Sequence, residues 1–495
     1  MNHSLKILLA GALLSPAPLL AQTLYWNKAA AGLTWSLPTS NQHWTTSAAG
    51  SVYSAWSSGN VARIVTANAQ INMGGSAVTA QGLVIESGPL TLGFAGAANT
   101  ALIIDGSTGA TGSGSLVLAN TTVGGTGSFS VRLASTNVND AGWNGTITVD
   151  ALNSAASSTI VDSAASSGLI LGAATNGTAA TVFRGTGVNT QVLLNGGNLL
   201  LGQGTIGATN TATIGSLSGT GAIALQSVFN TNGGTRTLRV QQTANTTMNG
   251  TIGGGTITQG NNILALTKAG SGTLSINLTG TSGYAGTTAV EAGVLILNGT
   301  LGSSASGGSN VNQGGFTVAS GAELGLTGTI NSAAAAAITL ADGAIFDPGV
   351  LTLNSAATTT SKGLVFEGGA TMRFSLGAGG DFLTLADTSM NGQAAGGPGG
   401  IKLQFTDLGT VAVGATYDLI DFGGTTVGIA DSLFALSADS LAQGWAGTIG
   451  YFGANGRDAN TLQFTVTAVP VPENSTALLV LLALAAPLAR RRKSS

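Results

Sequence analysis

Short runs of alternating apolar and small polar residues, each closed by glycine and almost empty of charge, recur along this chain. Examples are GSGSLVLAN from Gly112, SLSGTGAIALQ from Ser216, GSGTLSINL from Gly270 and SGAELGLTG from Ser320. A period of two sends successive side chains to opposite faces of a strand, so Leu116 and Leu118 point one way, as do Leu274 and Ile276, with Ser275 opposite. Glycine then supplies the turn, where φ is free to be positive. Such a chain folds as many short strands between tight turns, and an all-β fold is the first expectation.

Composition narrows this further. Glycine contributes 77 of 495 residues, hydrophobic residues 43% and charged residues only 7%, against roughly a quarter charged in ordinary globular proteins. Disorder has the opposite profile, low hydrophobicity with high charge. The net charge of −3 and basic residues scattered except at the extreme C-terminus exclude a nucleic-acid footprint. With no cysteine, thiolate metal sites, disulfides and lipid attachment at cysteine are excluded.

Strands at roughly 8–12-residue spacing admit a sandwich, a barrel, a propeller or a parallel solenoid. A propeller would repeat an aromatic residue in each blade, and a single sandwich does not need so long a chain. In a solenoid each coil stacks on the last, burying Val, Leu, Ile and Ala and leaving Gly and Asn at turns, with Asn and Thr laddering between coils. At roughly 20–25 residues per coil, residues 60–345 make about a dozen coils. No helical periodicity of useful length occurs outside the termini, save the short run Ala333–Ala337.

The stretch TKAGSGTLSINLTGTSGYAGTTAVEAGVLILNG, with Lys268, Gly270, Gly272, Thr273, Leu274, Tyr284, Gly286, Thr287, Thr288, Val290, Gly293 and Leu295, resembles the autotransporter-associated β-strand repeat. Weaker echoes such as WNGTITVD at Trp143–Asp150 cover much of the rest. The resemblance implies a right-handed parallel β-helix in a surface-exposed protein, and it implies architecture and location rather than chemistry. Autotransporters end in a membrane barrel of many alternating strands. Here the chain ends in a short apolar segment and RRRKSS, so a different export route is expected.

Both termini carry export signals. MNHSLKILLAGALLSPAPLLAQT has Lys6, an apolar run and a small residue at Ala21, the layout of a signal peptide over 1–21 cut by signal peptidase near Ala21. Pro16 and Pro18 argue against a buried N-terminal helix. At the other end, Ser475–Ala489 is 15 residues, about 22 Å of helix at ~1.5 Å per residue, short of the ~30 Å hydrocarbon core. Arg490, Arg491, Arg492 and Lys493 follow it and hold that end on the cytoplasmic side. The ensemble, with Val471, Pro472 and Glu473 before the apolar segment, resembles the PEP-CTERM sorting signal, which implies recognition by an exosortase-like membrane enzyme. Asn474 stands where that motif has its second proline. A plain tail anchor, holding the chain weakly to the membrane through 475–489, is the alternative. Localisation follows as the envelope, outer surface or extracellular matrix of a Gram-negative-type bacterium.

Residues 22–59, 60–345, 346–468 and 469–495 divide the remainder into a Trp-rich cap, solenoid repeats, terminal β coils and the sorting segment. Trp26, Trp35, Trp44 and Trp56 read first as the cap that closes an open solenoid end. An aromatic platform for sugar rings, with Trp35 and Trp44 as glycan contacts, is the second reading. Residues 346–468, where charge and Phe rise, read as terminal coils that blunt the last edge, or else as a separate binding module.

An inventory weighs against catalysis. Beyond the leader His43 is the single histidine, and Glu291 and Glu323 are the only carboxylates between Ser163 and Ala341. A Ser-His-Asp triad would rest on one cap residue, and a paired-acid site of the kind glycan-cleaving β-helix enzymes use lacks material in the middle coils. Asp381, Asp387, Asp407, Asp418 and Asp421 supply carboxylates only toward the C-terminal end. Gly396–Gly400 is followed by Ile401, Lys402 and Leu403, without the Gly-Lys-Ser/Thr of a phosphate loop. The expected function is an exported structural or adhesive protein without enzymatic activity or cofactor, its faces binding exopolysaccharide or like rods. A β-helix that binds or degrades polysaccharide is the alternative.

Overall fold

The computed structural model describes residues 22–28, 33–35, 42–66, 69–73, 78–85, 90–94, 100–112, 116–120, 129–133, 146–150, 167–171, 191–201, 210–225, 234–253, 262–280, 282–302, 315–332, 337–355, 363–386, 400–423, 429–454 and 460–470. The proposed leader with Ala21, the sorting residues Val471–Glu473 with the tail to Lys493, and Ala333–Ala336 and Asp387 lie outside them.

Nearly all the regular structure is strand, organised in long parallel ladders. A first ladder begins with Leu33–Trp35, Ala69–Met73, Leu90–Phe94, Leu116–Asn120, Thr146–Asp150 and Gln191–Leu201, each paired parallel with the next. It continues through Ser216–Leu225, Thr246–Ile252, Thr273–Leu278, Val294–Leu301 and Glu323–Ser332. Ile345–Asp347, Thr371–Leu376, Ile401–Asp407 and Phe434–Leu436 complete it. A second ladder stacks Asn210–Ile214, Gly234–Gln241, Asn262–Ala269, Thr288–Val290, Phe316–Val318, Ile338–Leu340 and Leu364–Phe366. From Gly328 onward a third runs from the end of Glu323–Ser332 through Val350–Ser355 and Phe382–Ala386 to Thr416–Asp421. The chain therefore visits the ladders in turn, and each pass lies on the preceding one. This repeated parallel stacking fits the coil-on-coil arrangement expected from the sequence.

Columns of inward side chains explain the register. Met248, Ile276, Leu297 and Leu326 lie one over another, as do Leu274, Leu295, Leu324, Phe346, Met372 and Leu403, and all are buried. A slip of one residue would turn each column outward, which fixes the pairing. The second column crosses residues 345 and 346 without a break.

Two features refine these expectations. The spacing between coils varies around the expected 20–25 residues: Asn277 lies 21 residues from its partner Asn298 and 28 from Asn249, because turns of unequal length join strands that keep strict register. A helix also exists in the body, Ala438–Gln443, with the Ser437 side chain accepting from Ser440 N and Gly444 at φ 98° ending it. Its signal was local, a serine N-cap and a glycine stop, and six residues are too few to show a 3.6 period.

The ends differ from the middle. At the N-terminal end, Thr23–Trp26 pairs parallel with Val61–Ile64, so the tryptophan-rich stretch already contains the first rungs. The strands Gln42–Trp44 and Ser54–Ala55 pair antiparallel with each other. At the other end Thr416–Asp421 pairs antiparallel with Thr461–Ala468, which pairs antiparallel with Ala446–Gly450. The parallel stack thus gives way to reversed strands, and Phe405 packs there against Phe464 at 4.4 Å and Trp445 at 5.8 Å between ring centroids.

Candidate functional site

The two tryptophans expected to touch glycan are inside the protein. Trp35 and Trp44 have relative exposures of 0% and 1% and pack with Trp26 and Trp56 as neighbouring ring pairs 4.7–5.2 Å apart. Trp56 Nε1 also donates to Thr79 O at 3.2 Å. A sugar ring stacks on an exposed indole face, and these residues present none. Four indoles instead fill the end of the interior, as a plug of offset and edge-on rings favours.

Around the plug lies a half-buried polar rim. Lys28 Nζ sits 3.9 Å from the centroid of the Tyr53 ring and 3.4 Å from His43 Nδ1. Tyr53 donates to Asn27 Oδ1 at 3.1 Å, and Asn27 donates to Gly50 O at 2.9 Å. Trp26 packs edge-on against the His43 ring. Burial, then the neighbouring Lys28 charge, holds the His43 pKa below its ordinary 6.5. Nearby, Arg63 lies over the Tyr25 ring at 5.6 Å.

In the stretch from Thr267 to Gly299, the distinctive residues are consumed by internal contacts. Lys268 occupies an inward column with Val240, Val290, Val318, Leu340 and Phe366. Its ammonium donates to the carbonyls of Ala269, Gly270 and Ala292 at 2.9, 2.8 and 3.1 Å. Three donors meeting three acceptors make a buried cation tolerable, although burial lowers its pKa to about 8. Tyr284 is buried with its hydroxyl bonded to Thr288, and burial raises its pKa to about 12. On the outer face Asn277 donates to Asn249 Oδ1 at 2.7 Å and Asn298 donates to Asn277 Oδ1 at 2.8 Å. Asn354 repeats the pattern on Asn331 at 2.9 Å.

Sequence reasoning missed one cluster. Glu323, Asp347 and Arg373 come from successive rungs of the first ladder. Arg373 binds Glu323 through both terminal nitrogens and donates from Nε to Asp347 Oδ2 at 3.1 Å. Asp381 lies close by, accepting from Ser375 N. Burial, with a smaller push from Asp347, raises the Asp381 pKa. Register brings together residues 50 positions apart, so no local motif announces them. The cluster offers carboxylates on an outer face, but Glu323 and Asp347 are both engaged by the guanidinium. Asp407 and Asp421 instead cap turns, accepting from Gly409 N and Gly423 N, and Asp418 accepts from Gln463.

Among the described residues no three of His, Cys, Asp and Glu gather in a way that could hold a metal ion, and no helix is long and apolar enough to cross a membrane. No protein-family model and no curated protein matches the chain.

Proposed function

We propose that this chain is an exported structural or adhesive protein of the cell envelope or extracellular matrix, a non-enzymatic right-handed β-solenoid related to the autotransporter-associated repeat and sorted by its PEP-CTERM-like tail. The observation that carries the reading is the use of the repeat residues. Lys268 and the Asn249–Asn277–Asn298 ladder hold coil to coil and Tyr284 with Thr288 ties one coil internally, which leaves a scaffold whose outer faces offer hydroxyl and amide groups to polysaccharide. In this reading signal peptidase removes 1–21, and an exosortase-like enzyme acts at Val471, Pro472 and Glu473, with Arg490–Lys493 holding the tail until it is cut.

The test is the intact mass of the protein recovered from its own host, compared with a Glu473→Ala variant. Loss of the tail in the wild type and its retention in the variant is the expected result. An uncut tail in both would remove the sorting argument and leave a weakly anchored protein.

A second reading, a glycan-degrading β-helix, draws on the cluster of Glu323, Asp347 and Asp381, where a carboxyl with a raised pKa lies near another carboxylate. Turnover of acidic or neutral glycans that disappears in Asp381→Asn would establish it over the first.

A further inference from the structure

The N-terminal end carries basic groups and no acid of its own. The first carboxylate in the sequence is Glu86, whereas Lys28 and Arg63 lie before it. Strands Thr23–Trp26, Leu33–Trp35, Gln42–Trp44, Ser54–Ala55, Val61–Ile64 and Val78–Ile85 form this end, and all precede Glu86. The Lys28 ammonium donates to His43 Nδ1 at 3.4 Å, which leaves it two further protons, and these strands contain no carboxylate to take them. Among the described residues Lys28 is the charged group beside His43, Tyr53 lies under Lys28, and Arg63 lies over Tyr25. The rim is half-buried, so a ligand charge bound there is less screened than on an open surface.

We propose that Lys28 and His43, with Asn27 and Tyr53 beside them, form a binding site for a carboxylate of an acidic polysaccharide. The carboxylate displaces the Lys28–His43 hydrogen bond, accepting from the Lys28 ammonium and from a His43 imidazolium that takes up one proton from solvent on binding. Tyr53, whose hydroxyl is fixed on Asn27 Oδ1, lends an aromatic face beside the cation for the sugar ring. The buried tryptophans then serve as the floor that holds His43 in place, Trp26 packing edge-on against it. Burial, then the Lys28 charge, holds the His43 pKa low, and a bound carboxylate should raise it. Affinity therefore strengthens as pH falls and weakens with added salt. This site rests on the adhesive reading above and names its ligand class.

The experiment uses the full chain and polygalacturonate, with neutral dextran as one control and sodium acetate at equal carboxylate concentration as another. His43 is followed by its ring resonances, assigned against His43→Gln because His3 is also present. Polygalacturonate is expected to raise the His43 pKa and dextran to leave it unchanged. Lys28→Gln should weaken binding about tenfold, the value of one charge-assisted hydrogen bond, and Lys28→Arg should restore it. Tryptophan fluorescence reports whether each variant keeps the plug. An unmoved His43 pKa, wild-type affinity in Lys28→Gln, or an equal response to acetate overturns the proposal. If Lys28→Gln still binds as wild type, the adhesive reading stands and only this site falls; if no polysaccharide binds at all, both fall.

Discussion

Lys268 belongs to one coil and Ala292 to the next, and the lysine Nζ donates across that boundary to the Ala292 carbonyl at 3.1 Å. The same ammonium closes the turn of its own coil through Ala269 and Gly270. Its position in an apolar column explains both the need for acceptors and the depressed pKa.

The sign of the pH effect follows. Unfolded, the lysine holds its proton to about 10.5, whereas folded it releases it at about 8. Between these values the unfolded chain binds more protons, so stability rises as pH rises through that window. Lys268→Met keeps the stem but orphans three acceptors, which costs on the order of 1–3 kcal/mol at pH 7. Thermal unfolding at pH 7 and pH 10 should show wild type gaining relative to the variant, since buried tyrosines such as Tyr284 shift both alike. Parallel pH profiles for the two would refute the assignment.

Asn277 is the middle member of its ladder, donating to Asn249 and accepting from Asn298. Asn277→Ala removes both bonds, whereas Asn249→Ala removes one of the two. The middle substitution should cost about 1–3 kcal/mol and roughly twice the end one. Denaturant midpoints of the two variants decide this, and equal losses would mean that the ladder is not acting as a chain of bonds.

Two glycines separate crowding from backbone strain. At Gly250, φ is 153° and an added Cβ would overlap the carbonyl oxygen of Gly221 on the adjacent coil. At Gly280, φ is 68° and no atom lies within 4 Å of that position. Gly280→Ala should therefore carry only the left-handed penalty, about 1–2 kcal/mol. Gly250→Ala must also push two coils apart, and it should unfold at a clearly lower temperature than Gly280→Ala. A reversed order would locate the crowding elsewhere.

What was legible in the sequence was the part set by local pattern. Leu274 and Ile276 point inward, as their spacing predicts, and both are fully buried. The tryptophans read as cap or platform from composition, and only packing shows that Trp35 and Trp44 are buried and offer no face to a sugar. Arg373 and Glu323 were unreadable as a pair because their contact depends on register between rungs. The antiparallel closure from Thr416 onward was hidden for the same reason: a strand's own residues do not state the direction of its neighbour.

That register-dependent cluster gives the last prediction. Arg373 neutralises two carboxylates, Glu323 and Asp347, which otherwise face each other without a counter-charge. Arg373→Ala leaves both partly buried and unpaired, so it should destabilise the C-terminal rungs by on the order of 1–3 kcal/mol. Arg373→Lys should recover only part, since an ammonium lacks the fork that serves Glu323 from two nitrogens and Asp347 from Nε. Replacing Glu323 by Gln in the Arg373→Ala background removes one of the opposed charges and should restore some stability. A double-mutant cycle on thermal midpoints reads this directly: coupling between 323 and 373 supports the cross-rung clamp, and strict additivity would show that the guanidinium holds nothing together there.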